Sequence, residues 1–309
     1  MIYRDNKLLG RSISAIGFGG AAVSGEGGGY GFGVMSEKEA QVLLSEAWEA
    51  GINLFDTAPI YGFGLSEERF GKYLPKEALV VSKAGVDWHS TRRVNMTNEP
   101  KVIEKMLLES LKRLKREFID IYMIHWPDKN VDVRRAVEVL AKYQERGVIT
   151  HIGLCNTNLE DLSKAQEVAA IACLQSELSV LNTQSFDVLK EEWKKFFTMS
   201  WGTFDKGILT GRVTEGRKYD ASDARSWAPW WNKKEVALKI ERVRHLETIL
   251  SDYKISLTQY CLHFNLNLYG ISSCLIGLKS ISDLVEVTSH LQNIPKVETI
   301  KEVYNRWNS

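Results

Sequence analysis

Four polar side chains of types that move protons stand at or just beyond the ends of short apolar segments. Asp56, Lys83 and His125 each end such a segment, and Tyr61 follows Asp56 by five residues. These types suit carbonyl chemistry, because a carbonyl carbon that accepts a hydride leaves an alkoxide that needs a proton. A free tyrosine has a pKa of about 10. We expect the Lys83 ammonium to lower that pKa, with Asp56 pairing to Lys83 and His125 orienting the carbonyl oxygen.

These side chains meet only if the segments that carry them are neighbours in a sheet. Short apolar runs alternate with helical patterns along the chain, and this alternation predicts a parallel sheet. Eight such units close a (β/α)8 TIM barrel, whose active site lies at the carboxyl ends of the strands. We therefore predict one α/β domain over residues 1–309, with strands centred on Ala15, Leu54, Val81, Tyr122, Ile152, Leu174, Thr198 and Leu275.

Local signals set the flanking elements. Residues 1–11 predict a short N-terminal β-hairpin, with its turn at the fifth and sixth residues. Ser36 followed by Glu39 is a capping box that begins the first barrel helix. Apolar spacing predicts a further helix over 188–195 and an extra C-terminal helix over 297–307.

Composition and charge narrow the class of protein. The chain has 309 residues, 44% of them hydrophobic, and a formal net charge of +1, so neither a nucleic acid nor an acidic membrane surface is an expected partner. The four cysteines lie far apart without a C-x-x-C pair, which argues against a disulfide framework or a metal site. A polar N-terminus, and apolar runs shorter than the ~20 residues that span a bilayer, indicate a cytoplasmic protein.

Residues 51–62, which read GINLFDTAPIYG, resemble the signature of the aldo-keto reductase family. Further pieces follow in the family's order and spacing: SEE at 66–68, SK at 82–83, HWPD at 125–128, GLCN at 153–156, Gln175 and GILTG at 207–211. The resemblance covers nearly the whole chain. It implies a (β/α)8 barrel and NADPH or NADH bound without a Rossmann domain. It also implies reduction of a small-molecule aldehyde or ketone by a tetrad of Asp56, Tyr61, Lys83 and His125, with Tyr61 as the general acid.

For the nicotinamide end of the cofactor, the resemblance implies contacts from three strands. Asn156 and Gln175 match the residues that hold the carboxamide, and Trp201 matches the aromatic side chain that stacks on the ring. The chain departs from the family pattern at Trp201, where tyrosine is usual, and at Cys155, where serine is usual. A thiol is a weaker hydrogen-bond donor than a hydroxyl.

For the phosphates, the resemblance implies two loops. Gly202, Phe204 and Lys206 match the loop over the pyrophosphate. Gly277, Lys279 and Asp283 match the strand–loop–helix that binds the adenosine phosphate. The Lys279 ammonium would attract a ribose 2′-phosphate, whereas the Asp283 carboxylate would repel it. These opposed charges leave the choice between NADPH and NADH open, with NADPH slightly favoured.

Residues 17–22 fit a loose G-x-G-x-x-A pattern, which raises the alternative of a Rossmann fingerprint. Such a fingerprint must lead directly into a helix. Here a glycine-rich loop over 25–33 intervenes before the helix that begins at Ser36. We therefore interpret these glycines as letting the first barrel loop pass close to the substrate mouth.

Aromatic side chains follow two of the catalytic candidates. We expect Trp88 and Trp126 to line the substrate pocket, and aromatic faces suit sugar rings, so a sugar or nucleotide-sugar carbonyl is the favoured substrate. A long insertion over 210–232 carries three more tryptophans, at 227, 230 and 231. These tryptophans either cover the cofactor or substrate or pack against a partner, and the sequence leaves that choice open.

Two other functions are compatible with the same residues. One is an NAD-linked sugar dehydrogenase working in the oxidative direction. The other is a cofactor-binding auxiliary subunit of a potassium channel, a role that some aldo-keto reductase relatives have. No sequence feature marks a surface for a membrane partner, and the intact tetrad argues against a purely binding role. The oligomeric state stays open.

Overall fold

The computed structural model describes residues 1–25, 30–89, 93–189 and 191–309. The strands in these residues are β1 (Tyr3–Asn6), β2 (Arg11–Ser14), β3 (Ile16–Gly19), β4 (Leu54–Asp56), β5 (Leu79–Ala84), β6 (Val86–Trp88), β7 (Val94–Met96), β8 (Ile119–Ile124), β9 (Ile149–Cys155), β10 (Ile171–Glu177), β11 (Phe197–Trp201) and β12 (Ser273–Ile276). The α-helices are α1 (Glu37–Glu49), α2 (Leu65–Tyr73), α3 (Pro100–Leu114), α4 (Val133–Glu145), α5 (Leu159–Gln166), α6 (Gln184–Asp187), α7 (Lys233–Tyr253), α8 (Leu257–His263), α9 (Ile281–Ser289) and α10 (Val297–Asn308).

Eight of the strands in the described residues close into a parallel barrel, in the order β10-β11-β12-β3-β4-β5-β8-β9. The ladders place Asp56 beside Val81 and Lys83 beside Met123, so the candidate catalytic strands are neighbours. Seven predicted strand centres lie inside a barrel strand, and Ala15 precedes β3 by one residue. The predicted (β/α)8 barrel is confirmed.

Side-chain alternation along the barrel strands decides which residues face the interior. In β5, Val81 packs in the cluster that fills the barrel, whereas Val80 packs in the layer between strands and helices. Because successive side chains of a strand point to opposite faces, Lys83 faces inward with Val81, and Ser82 faces outward with Val80. The period of the strand thus places the lysine inside the barrel and its neighbouring serine against the helices.

The N-terminal hairpin is confirmed, but the predicted position of its turn is wrong. β1 pairs antiparallel with β2, and the turn lies at residues 7–10. The Asn6 side chain accepts a hydrogen bond from the Leu9 amide at 3.0 Å, and Gly10 adopts a left-handed φ of 64°. These two features place the turn after Asn6. The hairpin side chains Leu9 and Ile13 pack on the cluster inside the barrel.

The predicted helix over 188–195 is also wrong. Helix α6 ends at Asp187, just before this range, the described residues within the range form a short 3-10 turn at Glu192–Lys195, and residue 190 lies outside the described residues. Phe186, Leu189 and Trp193 are buried, so the helical apolar spacing is met by two short turns instead of one helix. By contrast, the capping box of Ser36 and Glu39 and the C-terminal helix α10 are confirmed.

Helix α2 and the small antiparallel pair β6–β7 were not predicted. Helix α2 begins after Gly64, which has a φ of 103° and offers no capping side chain, so the usual start signal is missing from the sequence. Residues 26–29 of the glycine-rich loop lie outside the described residues.

Candidate active site

The four catalytic candidates meet at the carboxyl ends of three neighbouring barrel strands. Asp56 is the last residue of β4, Lys83 is the last but one of β5, and His125 directly follows β8. Tyr61 lies in the loop between β4 and α2. Loops and strand ends at this face are where (β/α)8 barrels carry their active sites.

Asp56 and Lys83 form an ion pair inside the barrel. The Lys83 Nζ lies 2.7 Å from each of the two Asp56 carboxylate oxygens, and both residues are buried. Burial raises the pKa of Asp56, and the Lys83 charge offsets part of that rise. For Lys83, burial alone would lower the pKa, but the Asp56 charge reverses the direction and the pKa is raised. Lys83 is therefore an ammonium at neutral pH.

Tyr61 stands over this pair. The Lys83 Nζ lies 5.4 Å from the centroid of the Tyr61 ring. Burial raises the pKa of Tyr61 to about 12, and the Lys83 charge opposes that rise only in part. Lys83 lowers the pKa of Tyr61, as expected, but burial outweighs the ammonium and the net shift is upward. A phenol with this pKa is protonated at neutral pH, which suits a proton donor.

His125 completes the cluster as a neutral ring. Its imidazole meets the Tyr61 ring edge to face, with centroids 5.9 Å apart and an interplanar angle of 86°. Burial, with a further contribution from the Lys83 charge, lowers the pKa of His125 well below its usual value. A neutral imidazole carries one N–H and can donate one hydrogen bond, which is what the predicted orientation of a carbonyl oxygen would require.

Gln175 is more fully buried than the other predicted cofactor contacts. It belongs to β10, is buried, and donates a hydrogen bond from Nε2 to the second carboxylate oxygen of Asp56 at 2.8 Å. Its Oε1 accepts a weak hydrogen bond from the Cys155 thiol at 3.4 Å. The Gln175 amide therefore supports the ion pair directly.

Asn156 and Trp201 are joined to each other and to the catalytic cluster. The Trp201 indole Nε1 donates to Asn156 Oδ1 at 3.1 Å, and Asn156 Nδ2 donates to the His125 carbonyl at 3.1 Å. Asn156 also adopts a left-handed φ of 54°. The indole N–H, which a tyrosine lacks at this place, fixes the orientation of the Asn156 amide.

The loop after β11 contains Lys206, whose ammonium is surrounded by two carboxylates and two tryptophan rings. Gly202 has a left-handed φ of 79° and Phe204 is partly buried next to it. Lys206 pairs with Glu177 at 2.8 Å and with Asp205 at 3.2 Å. The Lys206 ammonium also lies 5.7 Å from the Trp201 ring and 5.6 Å from the Trp230 ring. A cation at this position can bind a phosphate once its carboxylate partners release it.

The insertion over 210–232 covers this loop. Trp230 contacts Lys206, and Arg225 donates to the Lys206 carbonyl at 3.0 Å while pairing with Asp223. The backbone of Asp223 also forms an isolated antiparallel β-bridge with Phe32 of the glycine-rich loop. The sequence left the role of this insertion open, and its contacts connect the loop after β11 with the loop after β3.

Between these two loops, the segment after β12 and helix α9 carry one cation and one anion. Gly277 follows β12, and the Lys279 ammonium lies 3.3 Å from the carbonyl of Ala22. Burial lowers the pKa of Lys279. Asp283 pairs with Arg212 of the insertion at 3.0 Å. Both side chains therefore already have partners, and Asp283 shares its arginine with Glu286.

An aromatic wall, formed by Phe63, Trp88 and Trp126, lies beside Tyr61. Trp88 and Trp126 belong to one apolar cluster with Tyr61 and Phe63, and the Phe63 and Trp88 rings are 5.3 Å apart. Tyr30 also belongs to this cluster and contacts the ring of Trp227 in the insertion, at 6.1 Å between centroids.

Sequence reasoning missed several of these contacts for want of a signal. Phe63 could have been found, because it follows Tyr61 by two residues in the same loop. The contacts of Arg225 and Glu177 with Lys206, and of Arg212 with Asp283, gave no signal, because they join residues 19, 29 and 71 positions apart.

Metal ligation, membrane-spanning helices and the state of the cysteines can be read from the described residues. Among the described residues, no group of three histidine, cysteine or acidic side chains is arranged to hold a metal ion. The helices in the described part of the chain are too short or too polar to cross a membrane. All four cysteines are buried free thiols.

Comparison with known proteins adds the family. A model of the Aldo/keto reductase family matches residues 15–305. The chain is 28% identical over 316 residues to the aldo-keto reductase YhdN of Bacillus subtilis, covering 98% of this chain and 94% of that one. It is 27% identical over 308 residues to the NADP(+) aldo-keto reductase yakc of Schizosaccharomyces pombe, covering 96% and 89%.

A solved structure shows the same architecture. The glycerol dehydrogenase AKR11B4 from Gluconobacter oxydans superposes with a TM-score of 0.83 at 25% sequence identity. The superposition covers 99% of this chain and 94% of that enzyme.

Proposed function

The chain belongs to the aldo/keto reductase family, and on that premise we propose that Tyr61 is its general acid, supported by Lys83, Asp56 and His125. The enzyme is an oxidoreductase that acts on carbonyl or alcohol groups with NADPH or NADH. The observation that carries the proposal is the meeting of a protonated phenol, a buried ammonium and a neutral imidazole at one rim of the barrel.

The residues at the mouth fit a nicotinamide cofactor. The fixed Asn156 amide offers a partner for a carboxamide, and the neighbouring Trp201 ring offers a flat surface for the nicotinamide. One of the two Gln175 Nε2 N–H groups is used by Asp56, so its second N–H and its Oε1 are the atoms that would meet the carboxamide. For the phosphates, we propose the loop of Gly202, Phe204 and Lys206, and the segment of Gly277, Lys279 and Asp283.

The chain's own groups have distinct tasks in the reaction. The bound cofactor supplies the hydride. His125 donates its N–H to the carbonyl oxygen and thereby fixes the substrate against Tyr61. Tyr61 transfers its phenolic proton to that oxygen. The Lys83 ammonium stabilises the phenolate that remains, and Asp56 keeps Lys83 charged and in place.

The aromatic wall points to the body of the substrate. Trp88, Trp126 and Phe63 present faces and edges beside Tyr61, and such surfaces favour flat or ring-bearing groups. A carbonyl compound with a ring, such as a sugar or nucleotide-sugar derivative, is the substrate class that we propose.

The oxidative direction is the second candidate. It is favoured by the likeness to a glycerol dehydrogenase. It requires Tyr61 as a phenolate, and because the pKa of Tyr61 is raised to about 12, we expect oxidation to become efficient only at alkaline pH. Reduction needs the protonated phenol, which is the form present at neutral pH, and we therefore favour it.

The test is turnover of purified enzyme with NADPH and with NADH against a panel of carbonyls. The panel contains an aldehyde sugar, an aromatic aldehyde and a two- or three-carbon aldehyde without a ring. We expect consumption of reduced cofactor at neutral pH, with lower KM for the ring-bearing compounds. In Trp88→Ala, KM should rise for those compounds and change little for the small aldehyde.

Three results would count against this proposal. Binding of both cofactors without turnover of any carbonyl would favour a binding role. Faster oxidation than reduction at neutral pH would favour the dehydrogenase. Equal KM for ring-bearing and small aldehydes would refute the proposed substrate class.

A further inference from the structure

Three acceptors hold the Lys83 ammonium in place. They are the two carboxylate oxygens of Asp56, each at 2.7 Å, and the backbone carbonyl of Thr57 at 2.9 Å. Its position therefore depends on where the backbone of Thr57 and of strand β5 lies.

Thr57 is fixed by two further bonds. Its amide donates to the Val81 carbonyl of β5 at 2.8 Å, and its hydroxyl donates to the hydroxyl of Ser66 at 2.8 Å. The Ser66 hydroxyl in turn donates a hydrogen bond to the Gly20 carbonyl at 2.9 Å. A Cβ at residue 20 would lie 2.6 Å from the Ser66 oxygen, so this close approach requires glycine. Thr57 and Ser66 are both fully buried.

Glu67, which follows Ser66 in helix α2, fixes strand β5. Ser82 directly precedes Lys83 and donates its hydroxyl to Glu67 Oε1 at 2.5 Å. The other Glu67 oxygen accepts from Arg113 Nε at 2.6 Å. Glu67 is fully buried, so its charge is balanced by this arginine.

The first turn of α2 thus holds, from outside the barrel, the two segments that carry the Asp56–Lys83 ion pair. Ser66 holds the segment that carries Asp56 and Thr57, and Glu67 holds the segment that carries Lys83. We propose that Ser66 and Glu67 are positioning residues for the proton-donating site. This inference rests on the proposed function, because it assigns their effect to Tyr61 through Lys83.

The position of the Lys83 ammonium affects how readily Tyr61 ionises. The titratable groups that face Tyr61 are Lys83 from β5, Asp56 from β4, Cys155 from β9 and His125 after β8. Of these, Lys83 is the cation that favours the phenolate. With the 5.4 Å between the Lys83 Nζ and the centroid of the Tyr61 ring as the length scale, a displacement of the ammonium by about 1 Å weakens that attraction by an amount that corresponds to about half a pH unit.

The experiment compares Ser66→Ala and Glu67→Gln with Glu68→Gln, the next residue of the same helix, whose side chain is exposed. In both test variants we expect kcat to fall about tenfold or more, because small misplacements of catalytic groups have effects of this size. The Kd for NADPH, measured by nicotinamide fluorescence, should stay within about twofold of wild type. Glu68→Gln should match wild type in both.

The pH profile separates positioning from general damage. In the test variants, the midpoint of the rise in alcohol oxidation with pH should move upward by about half a unit. If Glu67→Gln fails to fold in a thermal melt, Ser66→Ala, which removes no charge, decides the question.

The inference would be overturned by kcat within twofold of wild type in folded Ser66→Ala. It would also be overturned by a fall in kcat with an equal loss of cofactor affinity and an unmoved pH midpoint. Absence of turnover in the wild-type enzyme would instead defeat the proposed function, so the two failures are distinguishable.

Discussion

Replacing Asp56 with asparagine removes the countercharge of a fully buried ammonium. Lys83 has no exposed surface and Asp56 is 3% exposed. Removal of one partner of a buried ion pair lowers the free energy of unfolding by about 3–5 kcal/mol. At about 2.1 cal/mol/K per residue, the unfolding entropy of 309 residues is about 0.65 kcal/mol/K, so a loss of about 4 kcal/mol lowers Tm by about 6 °C.

The pH dependence of this loss has a definite sign. In the wild type the pKa of Lys83 is raised, so its contribution to stability is complete below the unfolded pKa of about 10.4 and is lost as pH rises through the folded pKa. In Asp56→Asn, burial acts without the opposing carboxylate, and the pKa of Lys83 falls below its unfolded value. The folded variant then binds fewer protons than the unfolded chain, so the Tm deficit should shrink between pH 7 and pH 10.

Thermal melts of a double-mutant cycle measure this coupling. The set is wild type, Asp56→Asn, Lys83→Met and the double variant. The double variant leaves no buried charge without a partner, so it should melt above Asp56→Asn. A Tm for Asp56→Asn within about 1 °C of wild type, or additive losses in the double variant, would refute the reasoning.

Further predictions concern the cofactor and the pH profile. Trp201→Phe removes the donor that holds Asn156, and we expect the Kd for NADPH to rise about fivefold to tenfold in a fluorescence titration, the equivalent of one hydrogen bond, with kcat changed less. Arg225→Met removes the bond from the insertion to the Lys206 carbonyl, and limited proteolysis should cut the insertion faster in the variant than in wild type. Because the pKa of His125 lies well below its usual value, kcat for reduction should be flat from pH 6 to 8, and a fall below pH 7 would contradict a neutral imidazole.

The sequence predicted the barrel and the meeting of the catalytic candidates for one physical reason. Side-chain alternation fixes which residue at a strand end faces inward, and parallel strands bring those ends to one rim. Asp56, Lys83 and His125 were placed in this way, and the structure brings them together.

What the sequence could not predict depends on contacts between distant segments. The direction of the pKa shift of Tyr61 is set by burial, which the loop's packing decides. The start of α2 follows Gly64, which lacks a capping side chain. The pairing of Asp283 with Arg212 joins residues 71 positions apart, and no local pattern reports it.

The most direct test of the account is Tyr61→Phe, which removes one oxygen and keeps the ring. Single-turnover reduction and fluorescence titration of NADPH are measured on the same preparation. We predict a loss of most turnover with a Kd close to that of wild type, because the phenol donates the proton and the ring keeps its packing. Turnover near the wild-type rate would contradict the account, and loss of turnover together with cofactor binding would show that Tyr61 is structural.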